Sequence, residues 1–393
     1  MEEDKNKIVT LKDIYFNNDI DFKNINFNWD FNKWNNIFDN LNNLKNIDFN
    51  YPNLKHKLPT TRKSTSETAT KHLKEAFNNG NLNFVLGAGI SSEFGIPSWD
   101  NLLQRLLMTT IEQETDKALV LSKFFSKIFN PSSLIAGRYL EESFKDDKIK
   151  NKFEKNVRDA LYETYDENAH SLIVDEIIKF CLAPGNSPNL DGIITYNYDD
   201  IIETKLKGSN LDMPFESVFG QAINPDNNVL KIHHVHGFLP RNGNIGNENK
   251  ITLGEFVYHE QYSNTYSWNN IVQINKFRDK TCLFIGTSLA DPNIRRLLDI
   301  AKTQKKSTKF HYIFKKKTNK IWLKNSINKL IEENPEFKND KININLKIDE
   351  AIDFLIELKN RFEEKDSESL GVKTVWIEDY DKDISEILKK IRI

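Results

Sequence analysis

The stretch Asn83-Phe84-Val85-Leu86 opens without a polar spacer onto Gly87-Ala88-Gly89, and no other feature narrows the fold as much. The run is too brief for a helix but suits a strand buried on both faces. Glycines directly after it let the backbone turn at once. Further short apolar runs lie at 192–195, 230–235, 281–285, 310–314 and 372–377. Between them come helical patterns at 102–108, 153–165, 351–362 and 384–391. A helix also precedes the first run, with Ser66 as its cap, Ala69, Leu73, Ala76 and Phe77 on one face, and Gly80 stopping it. Strands alternating with helices predict an α/β chain, a Rossmann-like, mostly parallel sheet covered by helices on both faces.

Residues 1–62 read differently. Asparagines are interleaved with Phe16, Phe22, Trp29, Phe31, Trp34 and Phe38. Spacings of three and four through Phe31, Trp34, Ile37, Phe38, Leu41 and Leu44 suggest one amphipathic helix. The aromatics need burial, either on the chain's own domain or against a partner. Residues 51–63, with Pro52 and Pro59, read as a linker. The expected organisation is an aromatic, Asn-rich appendage at 1–62 and one domain at 63–393, with a helical insertion over about 110–185.

Composition removes several function classes. No apolar run approaches the ~20 residues of a spanning helix, and the acidic Met1-Glu2-Glu3-Asp4 is no secretory leader. A cytoplasmic protein without membrane contact is expected. Cys181 and Cys282 are the only cysteines, which excludes a disulfide framework and a four-cysteine zinc site. A net charge of -2 makes no global demand for nucleic acid.

Polar residues cluster where the strands end. In Gly87-Ala88-Gly89-Ile90-Ser91 the turn can approach a pyrophosphate, with amides of the following helix holding its charge. The dinucleotide fingerprint wants a third glycine where Ser92 stands, and its acidic ribose ligand would be Glu112 at best. A plain strand-to-helix turn explains the glycines equally. In Thr195-Tyr196-Asn197-Tyr198-Asp199-Asp200, Asn197 offers a donor and an acceptor and Asp199 an acceptor; either aspartate could instead cap the next helix. In His233-His234-Val235-His236-Gly237, alternation puts His234 and His236 on one face. Zinc wants three or four converging ligands, and no second Cys/His pair is near, so one histidine as general base is more economical than a metal. Gly286-Thr287-Ser288-Leu289-Ala290-Asp291 closes the series, and it too could be an ordinary turn.

Taken in order, Gly-Ala-Gly-Ile-Ser with Gly-Ile-Pro, Thr-x-Asn-x-Asp, His-Gly and Gly-Thr-Ser-Leu resemble the sirtuin-like (silent information regulator) family of NAD-consuming enzymes. The resemblance spans residues 66 to about 300, and 372–377 with 384–391 look like that family's closing unit. It implies that Gly87, Ala88, Gly89 and Ser91 line the phosphates and adjacent ribose, and that Gly286, Thr287 and Ser288 face the adenosine. It further implies that Asn197 holds the reactive ribose and a water, that Asp199 receives the nicotinamide carboxamide, and that His236 is the base.

The departures are as informative. Deacylases of the family carry a zinc ribbon with two Cys-x-x-Cys pairs, which two cysteines cannot build. After Gly-Ile-Pro they have Phe-Arg, where this chain has Ser98-Trp99-Asp100. The gap from Asn197 to His236 is also longer. These features resemble the zinc-less branch of bacterial antiphage defence, of the Thoeris and SIR2-HerA types. The resemblance implies an effector that hydrolyses NAD to nicotinamide and ADP-ribose, with NAD as substrate and no metal. The rival implication is a non-hydrolysing subunit that binds NAD or ADP-ribose within a nucleic-acid-targeting defence complex. No large sensor domain is visible, so control is expected from a homo-oligomer, docked to a HerA-type ring ATPase. Residues 295–324 hold eleven lysines and arginines beside a single acid, Asp299; they read as charge balanced elsewhere in the fold or as a nucleic-acid contact.

Overall fold

The computed structural model describes residues 65–111, 115–129, 131–145, 149–182, 189–209, 214–220, 229–304, 310–333 and 348–393. The expected appendage at 1–62, its helix, the linker and Glu112 lie outside these.

Seven strands form one sheet: β1 (Leu82–Leu86), β2 (Leu190–Thr195), β3 (Phe215–Val218), β4 (Leu230–His234), β5 (Thr281–Ile285), β6 (His311–Lys316) and β7 (Val372–Ile377). Their order is β3-β4-β2-β1-β5-β6-β7, and every pairing is parallel. The chain is thus an α/β protein with a Rossmann-like sheet, as the strand-and-helix alternation predicts. Only β3 escapes the sequence reading. It is short, lies at the sheet edge and is nowhere continuously apolar, with Glu216 and Ser217 at its centre.

Alternate strand residues enter two cores. Leu82, Phe84, Leu86, Ile193, Leu283 and Ile285 point to one face. There they meet α1 (Thr65–Asn78), α6 (Leu172–Cys181) and α13 (Tyr380–Arg392). Val85, Ile194, Phe284 and Ile313 point to the other, against α9 (Trp268–Asp279) and α10 (Pro292–Gln304). Burial on both faces explains why these strands read as unbroken apolar runs. Ser66 falls inside α1, where its carbonyl accepts from Thr70 Oγ1 at 2.8 Å, so the helix begins before the expected cap.

Between β1 and β2 run α2 (Trp99–Thr110), α3 (Thr115–Phe129), α4 (Ser133–Phe144), α5 (Lys152–Tyr162) and α6. The last belongs to the sheet layer, with Phe180 edge-on to Phe84 at 5.0 Å and to Phe77 at 4.7 Å. After β2 come α7 (Ile201–Gly208) and, before β5, α8 (Glu255–Ser263) and α9. After β6 come α11 (Lys320–Glu333) and α12 (Ile348–Ser369). The described residues fall into two compact units, one running to 318 and again from 356 to 393, the other within 319–355. The first holds the whole sheet. In the described part of the second, Lys324 Nζ pairs with Asp349 at 2.9 Å.

Candidate active site

The four strand-end motifs follow β1, β2, β4 and β5, which stand side by side as β4-β2-β1-β5. The chain leaves β1 toward β2 on one side and later enters β5 on the other. The β1/β5 junction is therefore the point where strand order reverses, and open α/β sheets bind ligands outside the carboxyl ends of strands there.

The loops after β1 and β5 meet backbone to backbone. A Cβ on Gly87 would lie 2.6 Å from the Gly286 carbonyl oxygen, and one on Gly89 2.8 Å from Gly286 Cα. Gly286 has φ +74, a left-handed conformation that favours glycine. This contact consumes donors that the sequence reading had assigned to phosphate. The Gly87 amide donates to Ile285 O and the Gly89 amide to Gly286 O, both at 3.0 Å; Ile90 and Ser91 amides donate to Gly87 O and Ala88 O. Beside the loop stands another donor. The Tyr380 hydroxyl would lie 2.7 Å from a Cβ on Gly89, and it is buried with no hydrogen-bond partner. Thr287 Oγ1 accepts from the Leu289 amide at 3.4 Å, and Ser288 is exposed, its Oγ accepting from the Ala290 amide at 3.3 Å.

Asn197 links the loops after β1 and β2. Its Nδ2 donates to Gly87 O at 3.1 Å and to Ser91 Oγ at 3.0 Å. A carbonyl can only accept, which fixes the amide's orientation and leaves Oδ1 as the group it offers a substrate. Sequence alone left both faces of the amide open. Asp199 is buried; burial pushes its carboxyl up to about 6, against hydrogen bonds from the Ser91 hydroxyl and the Ile201 amide. The expected capping is divided. Asp199 Oδ1 accepts from the Ile201 amide at 3.2 Å, whereas Asp200 receives the Tyr162 hydroxyl at 3.0 Å and the Arg241 amide at 3.1 Å.

The three histidines separate. His233 Nδ1 sits 3.3 Å from Ile193 O, and burial, helped by Lys276, pushes its ring down to about 4. His234 is fully engaged: Nε2 lies 2.7 Å from Glu203 Oε1 and Nδ1 3.3 Å from the Asn197 carbonyl. His236 is not. Its Nε2 is buried without a hydrogen-bond partner, and the nearest carboxylate oxygen, Asp291 Oδ2, is 3.8 Å away. Burial lowers this ring's proton affinity below the ordinary histidine value, and Asp291 opposes the effect. The shared face expected for His234 and His236 is not observed. β4 ends at His234 and a turn follows, closed by the Gly237 amide on His234 O at 3.2 Å. The turn carries His236 to Tyr196 and Tyr258 instead, with ring centroids 4.7 and 5.9 Å away. Thr195 and His234 are register partners, so Asn197 and His236 each follow two residues after the last paired residue of neighbouring strands.

Asp291, Tyr258 and Tyr196 were not singled out by the motifs. Asp291 Oδ1 caps α10 by accepting from the Ile294 amide at 2.8 Å, and Oδ2 accepts the Tyr258 hydroxyl. An Asp-Pro pair opening a helix was the legible sign of it. Behind these residues lies a buried amide network. Asn293 Nδ2 donates to Gln261 Oε1 at 2.9 Å, Asn270 Nδ2 to Gln261 O at 2.8 Å, and Asn269 Nδ2 to Val235 O at 3.1 Å.

Elsewhere, Cys181 and Cys282 are both buried, the Cys282 thiol donates to Lys276 O at 3.7 Å, and burial raises the Cys181 thiol above its ordinary value. No group of three or more metal-ligating side chains occurs among the described residues, and no described helix is long and apolar enough to cross a membrane. Within the basic stretch, Arg295 pairs with Asp366, Lys315 with Glu363 and Lys317 with Glu378. A cavity of about 380 Å³ lies at the amino ends of the strands, beside Asn81, Thr281 and Phe310. Another of about 550 Å³ is lined by α2, α3 and α4. Neither includes Asn197, Asp199 or His236, whose side chains are enclosed by the strand-end loops.

A family profile described as a SIR2-like domain matches residues 191–338. The chain is similar to two proteins named NAD(+) hydrolase ThsA. The one from Cytobacillus dafuensis is 26% identical over 339 residues, 83% of this chain and 55% of that protein. The one from Enterococcus faecium is 22% identical over 330 residues, 82% of this chain and 57% of that protein. The chain thus spans about half the length of the curated relatives it matches.

Proposed function

We propose that this SIR2-like chain hydrolyses NAD to nicotinamide and ADP-ribose. The observation that carries the reading is the placement of buried His236 and Asn197, each two residues past the paired ends of neighbouring strands. The name of the two relatives supports the same substrate. In this reading the N-glycosidic C–N bond breaks and its electron pair leaves on the nicotinamide ring nitrogen. The ribose passes through an oxocarbenium-like state, as in other glycoside cleavage. Water oxygen bonds to the anomeric carbon, and the water's proton leaves through His236 to solvent. Asn197 Oδ1 accepts from a ribose hydroxyl or that water. Asp199, ionised above about pH 6, accepts from the carboxamide. With the amides of Gly87 and Gly89 engaged, the Tyr380 hydroxyl is the donor that fits a diphosphate at the β1 loop, where no arginine stands.

The wider setting belongs to the same proposal: a cytoplasmic effector of antiphage defence that depletes NAD. Its enclosed site would open on assembly, in a homo-oligomer or with a HerA-type ring ATPase. Exposed Phe124, Ile128 and Phe129 on α3 give such an assembly apolar surface to cover. Contact of residues 295–324 with nucleic acid is a weaker part of it, given the acidic partners of Arg295, Lys315 and Lys317. Nicotinamide release from NAD by the purified protein, unchanged by strong chelation, tests the reaction. Release abolished by the chelator and restored by zinc would contradict the metal-free reading.

A further inference from the structure

Asp291 already has a structural task, capping α10 through Oδ1. Its other oxygen does something a cap does not require. Oδ2 accepts the Tyr258 hydroxyl and lies 3.8 Å from His236 Nε2. Three elements converge on this ring: the loop after β5 brings Asp291, α8 brings Tyr258, and the loop after β2 brings Tyr196 edge-on. Burial keeps both tyrosines protonated, and Asp291 is the one carboxylate of the three side chains. Tyr196 is itself fixed through its hydroxyl to Gln273. The imidazole is thus boxed by neutral aromatics on two sides and faced by one oriented carboxylate. Such a contact is long in the absence of substrate and tightens in the complex.

We propose that Asp291 is the positioning residue of His236: its carboxylate receives the Nε2–H and leaves Nδ1 as the nitrogen that accepts the substrate's proton. Tyr258 holds the carboxylate on course. The inference rests on the hydrolase reading for its purpose, but the pair itself is measurable without substrate. The carboxylate's own effect on the ring is upward, against the larger downward push of burial, since a facing carboxylate stabilises the imidazolium. Activity therefore falls as pH drops through the ring's pKa, and removing the charge moves that limb to lower pH.

The decisive variant is Asp291→Asn, because asparagine caps a helix about as well as aspartate while losing the charge. The His236 ring is titrated by NMR in the full chain, and kcat and KM for NAD are followed over the same pH range. The expected result is a lower ring pKa, an acidic limb moved the same way, kcat down at least about tenfold, and KM within about twofold. Asp199 also titrates near 6, so the ring signal, not the kinetic limb alone, assigns the shift. Tyr258→Phe should move both readouts in the same direction by less, and it stands in if Asp291→Asn does not fold. An unchanged ring titration overturns the pair. A shifted titration with unchanged kcat overturns the positioning role. If the wild-type protein releases no nicotinamide, the hydrolase reading fails, and the titration still decides whether the pair exists.

Discussion

His234 and His236 are two residues apart and equally enclosed, yet they occupy opposite kinds of surroundings. His234 has a carboxylate on one nitrogen and a backbone carbonyl on the other. Glu203 answers it: burial pushes that carboxyl up, but the ring's charge and hydrogen bond outweigh burial and leave it below its usual range. His236 has aromatic neighbours and a buried nitrogen bonded to nothing. An unsatisfied buried polar atom costs about 1–3 kcal/mol, so the two rings differ in what they contribute to stability. One histidine meets the Asn197 carbonyl; the other has Asp291 as the carboxylate facing its Nε2.

The largest effects should separate the twins by readout. His236→Ala should lower the rate of NAD cleavage by about 10² to 10⁴ and leave the urea midpoint near wild type. Full turnover in this variant would erase the distinction. His234→Ala should do the reverse first. It strands the Glu203 carboxylate in the core, and breaking such a buried pair typically costs about 3–5 kcal/mol, read as a lowered unfolding midpoint. A normal midpoint would mean that Glu203 finds water and that the pair is not structural.

A smaller effect sharpens the same contrast at Asp199. Its folded pKa, about 6, lies above the usual carboxylate value. The folded state therefore favours the protonated form, and stability from this group is present at low pH and lost as pH rises through about 6. Asp199→Asn should stabilise the fold at pH 8 by up to about 3 kcal/mol and do nothing below about pH 4. Urea unfolding at the two pH values checks this, and equal effects at both would show that burial does not strain the carboxylate.

Much of the site was legible because its residues ride on strand ends. Apolar runs located β1, β2, β4 and β5 to within a few residues, and position beyond a parallel strand is position at the crevice. β3 was missed because an edge strand need not be apolar throughout. α9 was missed for a different reason: of its buried residues Asn269, Asn270, Gln273 and Phe277 only the last is apolar, so hydrophobic periodicity had little to register. The same amides show that some of this chain's asparagine is structural. The Asp291–His236 approach joins loops 55 positions apart in sequence, and no spacing rule reaches across the intervening α8 and α9. The donation of the Gly87 and Gly89 amides to the carbonyls at the end of β5 was equally invisible, since it depends on which strands are neighbours.

The central claim is that the strand-end crevice breaks the bond between nicotinamide and ribose. The direct measurement is the product balance from NAD, by chromatography, for the full chain and for Asn197→Ala at matched concentration. The account predicts nicotinamide and ADP-ribose in equal yield from wild type and neither from the variant, which should still bind ADP-ribose. Saturable NAD binding by the wild-type protein with no nicotinamide released would contradict it and make the crevice a binding site alone.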